Sequence, residues 1–124
     1  MMAKPRVFAS FDFDNDLNLK NLFVGQSKHS DSPFELEDWS LKEEQPQANW
    51  EEEARKKIRR STYFIVIVGA QTHRASGVKK EIAIAIEERK ARYQIKSATA
   101  EYPWVNDGGT HLNWTWENLK NHLV

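Results

Sequence analysis

The stretch Tyr63-Phe-Ile-Val-Ile-Val68 is a continuous apolar run, with Ser61-Thr62 before it and Gly69 after it. A strand with one solvated face alternates apolar and polar residues. A run with no polar position belongs in the middle of a parallel sheet, buried on both faces. The elements around it fit that setting. Upstream, Trp50, Ala54 and Ile58 fall at i, i+4 and i+8, which predicts a helix whose other face carries the charges of Glu51 to Arg60. Downstream, Gly69 to Gly77 reads as a loop, and Val78, Ile82, Ala85 and Ile86 predict a helix reaching about Lys90. The segment Ile82-Ala-Ile-Ala-Ile86 also alternates. Ala is a poor strand former and charged helix formers flank both sides, so the helix is preferred.

Further out, Arg6-Val-Phe-Ala-Ser-Phe11 predicts a first strand ending in the polar cluster Asp12-Phe-Asp-Asn-Asp16. Leu19, Leu22 and Phe23 predict a helix opened by an Asp or Asn cap and stopped by Gly25. Phe34-Glu-Leu-Glu-Asp-Trp39 alternates and predicts a half-buried strand near a sheet edge. Tyr93 to Ser97 and His111 to Trp114 predict two more strands, and Thr115 caps a last helix with Trp116, Leu119 and Leu123 on one face. Strands alternating with helices give an α/β fold with a parallel sheet and helices on both faces. About five strands in this length predict a flavodoxin-like three-layer sandwich with strand order 2-1-3-4-5. No internal repeat or linker divides the chain, so residues 1–124 are read as one domain.

Composition narrows the function. Of 124 residues, 18 are Lys or Arg and 18 are Asp or Glu, a formal net charge of +0. That balance argues against a nucleic-acid partner, whose phosphates demand an excess of positive charge. A mean hydropathy of -0.73 and the lack of a long apolar run exclude a membrane-embedded protein. The start, Met1 to Arg6, is basic but has no apolar stretch behind it to make a secretory signal, and Cys is absent. A cytoplasmic location is therefore expected, without disulfides or a Cys-type zinc site. The basic run Arg55-Lys-Lys-Ile-Arg-Arg60 follows acidic residues on one helix, in the sense the helix dipole favours, and reads as a solvated face.

Open parallel sheets bind ligands beyond the carboxyl ends of their strands, where the strand order reverses. In this order that place lies between the first and third strands. It selects Ser10 to Asp16, Asp38 to Leu41 and Gly69 to Glu81. Asp12-x-Asp14-x-Asp16 invites a calcium reading, but a calcium loop starting at Asp12 needs Gly and Glu where Leu17 and Phe23 stand. Haloacid-dehalogenase-like phosphatases share only this Asp-x-Asp motif. A phospho-accepting receiver domain would need Asp where Gly69 stands. The four His have no metal-ligand spacing, and no P-loop, G-x-G-x-x-G or G-x-S-x-G occurs. No metal is expected. Helix capping accounts equally for the acidic cluster. Glu81, early in the helix after the central run, puts a carboxylate at the rim of the crevice, where helix-terminus electrostatics also favour it.

Taken together, Val7-Phe-Ala-Ser-Phe-Asp-Phe-Asp-Asn-Asp16, Asp38-Trp-Ser-Leu41, Ile65-Val-Ile-Val-Gly-Ala-Gln-Thr-His73 and Glu81-Ile82 resemble the TIR-like domain of the Thoeris ThsB family, bacterial relatives of Toll/interleukin-1 receptor domains. The tail, Val105-Asn-Asp-Gly-Gly109 and Trp114-Thr-Trp-Glu-Asn-Leu119, resembles one branch of that family, so the likeness runs nearly the full length. The resemblance implies a flavodoxin-like fold and a role in anti-phage signalling. Active members use NAD as substrate, releasing nicotinamide and an ADP-ribose-derived signal for a partner effector. The catalytic Glu of TIR NADases falls on Glu81, and Lys80 stands where many relatives carry an aromatic residue. The nucleotide-binding set implied is Ser10, Phe11, Asp12, Asn15, Trp39, Ser40, Gly69, Thr72 and His73. Other TIR-like proteins are interaction modules that assemble with themselves or a partner. Two function classes thus stand side by side, an NAD-consuming enzyme and a non-catalytic binding module.

Overall fold

The computed structural model describes residues 4–37 and 47–124. Its elements run β1 (Arg6–Ser10), α1 (Leu17–Ser27), β2 (Glu35–Leu36), α2 (Gln47–Arg60), β3 (Tyr63–Ile67), a 3-10 turn (Thr72–Arg74), α3 (Ser76–Glu87), β4 (Ala91–Lys96), β5 (Thr110–Asn113) and α4 (Trp116–His122). The five strands form one sheet in the order β2-β1-β3-β4-β5, and every neighbouring pair is parallel. The apolar run predicted to be central is central. β3 lies between β1 and β4, with Phe64 to Ile67 fully buried.

Alternate residues of β1 and β3 feed two separate cores. Phe8, Phe64 and Val66 point to one face, where Ala54 and Ile58 of α2 and Val78, Ile82 and Ala85 of α3 cover them. Phe8 and Phe64 stack with ring centroids 5.4 Å apart. Val7, Ala9, Ile65 and Ile67 point to the other face, under Phe23 of α1, Leu119 of α4 and Leu123, which follows α4. The i, i+4, i+8 stripe of α2 is therefore the buried stripe, as its periodicity requires. Between β4 and β5 runs a connection, 97–109, that packs Trp104 and Val105 against the first core. Buried Gln94 of β4 holds it. Its Nε2 donates to the carbonyls of Val105 and Gly109, each at 3.0 Å, and its Oε1 accepts from the Val105 N–H at 2.8 Å.

Four local expectations need correction. Gly25 does not stop α1, which continues to Ser27. A Cβ at Gly25 would meet nothing within 4 Å, and helical continuation there needs no unusual backbone. Where a strand from Phe34 to Trp39 was expected, β2 is Glu35–Leu36, in register with Arg6 and Val7 of β1, and neither Phe34 nor Glu37 belongs to it. Trp39, at the end of that predicted strand, lies outside the described residues, as does Ser40. The loop before α3 is shorter than expected, containing the 3-10 turn and giving way to helix at Ser76. Asp16 occupies the N-cap position of α1 but makes no side-chain cap. Thr115 does cap α4, its hydroxyl accepting from the Asn118 N–H at 3.0 Å.

The basic run of α2 pairs within the molecule. Arg55 meets Glu87 at 2.7 Å and Glu88 at 3.1 Å, Arg59 meets Glu88 at 2.9 Å, and Arg60 pairs with buried Glu37. These bonds tie α2 to α3 and to the edge of the sheet. Among the described residues no helix is long and apolar enough to cross a membrane.

Candidate functional site

The reversal of strand order falls between β1 and β3. In open parallel sheets ligands bind at that reversal, and here the β1–α1 loop lies on one side of it and the β3–α3 loop on the other. Ser10 is the last residue of β1. It follows Phe8 in the alternation and so faces α3, and its hydroxyl donates to Glu81 Oε1 at 2.6 Å. Glu81 sits in the second turn of α3 and is 0% exposed, as is Ser10. This hydrogen bond joins two residues that are 71 positions apart in sequence.

The β1–α1 loop is closed by its own carboxylates. Asp12 Oδ1 accepts from the Asp14 N–H at 3.2 Å and Oδ2 from Asn15 Nδ2 at 2.7 Å, while the Asp12 carbonyl accepts from the Asp16 N–H at 2.8 Å. Asp12 is buried and Asn15 is exposed. Phe11 turns the opposite way from Ser10. It is 2% exposed, packs in the core under α1 and lies 5.8 Å from the Phe13 ring.

The β3–α3 loop begins at Gly69, whose N–H donates to Thr72 Oγ1 at 2.7 Å. The Thr72 hydroxyl donates in turn to Asp16 Oδ2 at 2.9 Å. Thr72 is fully buried. A Cβ at Gly69 would lie 2.2 Å from Asp16 Oδ1, so the carboxylate rests directly on the glycine's open face. Burial pushes the Asp16 carboxyl above its ordinary value of 3.8; the Thr72 hydrogen bond opposes that shift, and the nearby charge of Asp12 adds to it. His73 lies beyond Thr72, its Nδ1 buried with no hydrogen-bond partner among the described residues. It borders a groove of about 590 Å³ along the outer flank of α3, shared with Lys79, Ile82, Trp104 and Asp107. Ser10 and Glu81 are thus brought into contact, and Gly69 and Thr72 are joined to the β1–α1 loop. His73 faces the outer groove, and Phe11 belongs to the core. Asp16 was read from sequence as the end of the acidic cluster and as a cap, and its carboxylate crosses to the opposite loop.

α3 has no side-chain cap and no acidic residue in its first turn, so no side chain offsets the positive end of the helix dipole carried by its N-terminal amides. Among the described residues no group of three His, Cys, Asp or Glu could hold a metal. The family model described as "Thoeris protein ThsB, TIR-like domain" matches residues 8–102. The chain belongs to the Thoeris ThsB family of TIR-like domains. In this ThsB-type domain the match spans β1 to the connection after β4, so it contains Ser10, Asp16, Gly69, Thr72 and Glu81.

The TIR-like domain also has relatives among solved structures. It is similar to Clostridium botulinum CMP N-glycosidase, BcmB, at 13% identity over 95% of this chain and 93% of that one, with a TM-score of 0.59. It is similar as well to a 3-dehydroquinate dehydratase-like protein from Bifidobacterium longum, at 18% identity over 98% and 93%, with a TM-score of 0.49. The likeness to the C. botulinum enzyme is one of fold. A comparison with curated protein sequences gives no match.

Proposed function

We propose that this TIR-like domain cleaves the N-glycosidic bond between nicotinamide and ribose in NAD, and that Glu81 is the carboxylate that stabilises the reaction. The observation that supports it best is the buried Ser10–Glu81 pair at the β1–β3 switch point. Nicotinamide in NAD is a cationic leaving group. When the C1′–N bond breaks, its electron pair goes to the ring nitrogen, so departure needs no general acid. The ribose carbon left behind is oxocarbenium-like, and a fixed negative charge beside it lowers the barrier. Ser10 orients Glu81 Oε1 for this role, and the amide-rich start of α3 suits the diphosphate. N-glycosidic cleavage is a named activity on this fold, in the C. botulinum enzyme. Water, or a nucleophile of the same nucleotide, then bonds to C1′ and gives its proton to solvent, and the product is an ADP-ribose-derived nucleotide that signals to a partner effector in anti-phage defence, in a reaction that uses no metal and no nucleic acid.

A second reading, a non-catalytic TIR-like module for self-association or partner binding, is favoured by Lys80. Where relatives carry an aromatic ring, Lys80 Nζ pairs with Glu51 Oε1 of α2 at 3.2 Å.

Nicotinamide release from NAD by the purified protein, with and without an activating phage component, separates the two readings. Electrostatic stabilisation of this kind is commonly worth about 3 kcal/mol, so Glu81→Gln should lower cleavage roughly a hundredfold or more. Melting of the variant shows that the fold is intact. A well-folded variant that turns over NAD like the parent removes Glu81 from the reaction. A parent that never turns over NAD, activator included, leaves the binding module.

A further inference from the structure

We infer that Asp16 is a positioning residue for Glu81, acting through Thr72 from the β1–α1 loop to the β3–α3 loop. The inference rests on the reading of the Ser10–Glu81 pair as the site of glycosidic cleavage.

The argument begins with where the Asp16 carboxylate is not. An Asp at the N-cap of a helix ordinarily accepts from an amide of the first turn, and that use is local. Here the N-cap side chain makes no such bond. It reaches instead to the loop after β3, to a residue 56 positions away. The bond there has a fixed direction. The Thr72 hydroxyl already accepts from the Gly69 N–H at 2.7 Å, so its single proton is directed to Asp16 Oδ2 at 2.9 Å. The acceptor at the end of this two-bond chain needs a lone pair turned to the Thr72 hydroxyl, which Asp16 Oδ2 supplies.

The space is equally specific. Gly69 has no side chain, and the Asp16 carboxylate fills the volume a Cβ would need, with Oδ1 and Oδ2 at 2.2 and 2.3 Å from that point. Residues 16, 69 and 72 therefore interlock. From Thr72 the chain of contacts continues to α3. The Thr72 carbonyl accepts from the N–H of Ala75, the N-cap residue of α3, at 3.0 Å. Glu81 lies six residues further along the same helix. Asp16, anchored beside the end of β1, thus sets where α3 starts relative to β1, and so the placement of Glu81 against Ser10. Displacing a reacting group by about 1 Å can slow an enzyme about a hundredfold.

The test uses Thr72→Val, which keeps the shape and removes both hydrogen bonds, and Thr72→Ser, which keeps the hydroxyl. Asp16→Ala breaks the Thr72–Asp16 bond alone and leaves the Gly69–Thr72 bond in place. Two readouts are taken on the full chain: amide exchange at Gly69, and NAD cleavage under activating conditions with kcat and KM separated. Thr72→Val should expose the Gly69 amide, and Thr72→Val and Asp16→Ala should each lower kcat roughly ten- to a hundredfold, with KM for NAD within about twofold of the parent. Thr72→Ser should restore both. A merely structural role would lower the melting temperature without this kcat-selective loss and hydroxyl rescue. If the parent cleaves NAD and Thr72→Val or Asp16→Ala keeps its kcat, the inference is overturned while the cleavage reading stands. A parent without turnover overturns the cleavage reading and the positioning role with it.

Discussion

Replacing Gln94 by Leu should release the connection between β4 and β5 from the sheet. Leu keeps most of the apolar volume, so little cavity is created, and the change isolates the polar contribution. Three hydrogen bonds disappear: two from Nε2, to the carbonyls of Val105 and Gly109, and one to Oε1, from the Val105 N–H. Val105 is buried, whereas Gly109 is half-buried and can recover water. Each lost bond is worth about 1 kcal/mol net, and a group left buried without a partner costs about 1–3 kcal/mol. The expected loss is about 2–4 kcal/mol. Unfolding entropy of roughly 2.1 cal/mol/K per residue over a chain of this size makes 1 kcal/mol worth about 4 °C, so the midpoint should fall by about 8–16 °C. The assay is thermal melting combined with amide exchange at Val105, whose N–H should lose its protection. Gln94→Glu sharpens the test. It keeps an acceptor for the Val105 N–H but sets a carboxylate against two carbonyls, so its carboxyl should titrate above the ordinary range. Stability is then regained as pH falls through that raised value. A loss under about 1 kcal/mol in Gln94→Leu, with the Val105 amide still protected, refutes the account.

Two further outcomes follow from the α2 contacts. Ile58→Ala should cost about 2–5 kcal/mol, because Ile58 is fully buried under the sheet, and an unchanged denaturation midpoint would remove α2 from the core. Hydrogen bonding to Arg59, with Arg55 adding to it, holds Glu88 down at about 2 from an ordinary 4.5. A depressed carboxyl stabilises the fold fully above the unfolded value and loses that contribution as pH falls from about 4.5 through about 2. The gap in urea midpoint between parent and Glu88→Gln should therefore close over that window, and a gap that persists at pH 2 would contradict it.

The fold was legible because its strongest signals are non-local in consequence but local in sequence. Tyr63 to Val68 could be central only if strands lay on both sides, and the stripes of α2 and α3 left them one face each to bury. Gly25 misled because glycine permits a helix end without requiring one. Alternation from Phe34 to Trp39 marks a half-buried segment but not where its ladder begins and stops, and Phe34 and Glu37 lie outside β2. The site was legible in part. The switch-point rule and the family resemblance brought Ser10 and Glu81 to one place, and the structure joins them directly. What sequence left hidden was which way side chains turn. Phe11 and Ser10 are neighbours on opposite faces, and Asp16 at a helix start reads as a cap in any sequence. Only the geometry of Gly69 and Thr72 shows that its carboxylate serves another loop.

An all-parallel ladder also dictates the order in which the chain can acquire its structure. No two adjacent strands form a hairpin. The shortest pairing, Tyr93 with Thr110, closes a loop of 17 residues, and the β1–β3 pairing, Val7 with Tyr63, closes one of 56. Loop closure must come before these contacts can stabilise anything, so folding should be slow for a domain of this size. During synthesis β1 leaves the ribosome first, yet its central partner arrives more than fifty residues later. Until then Val7, Phe8 and Ala9 have only the short β2 beside them, and they are the part of the nascent chain most dependent on protection from aggregation.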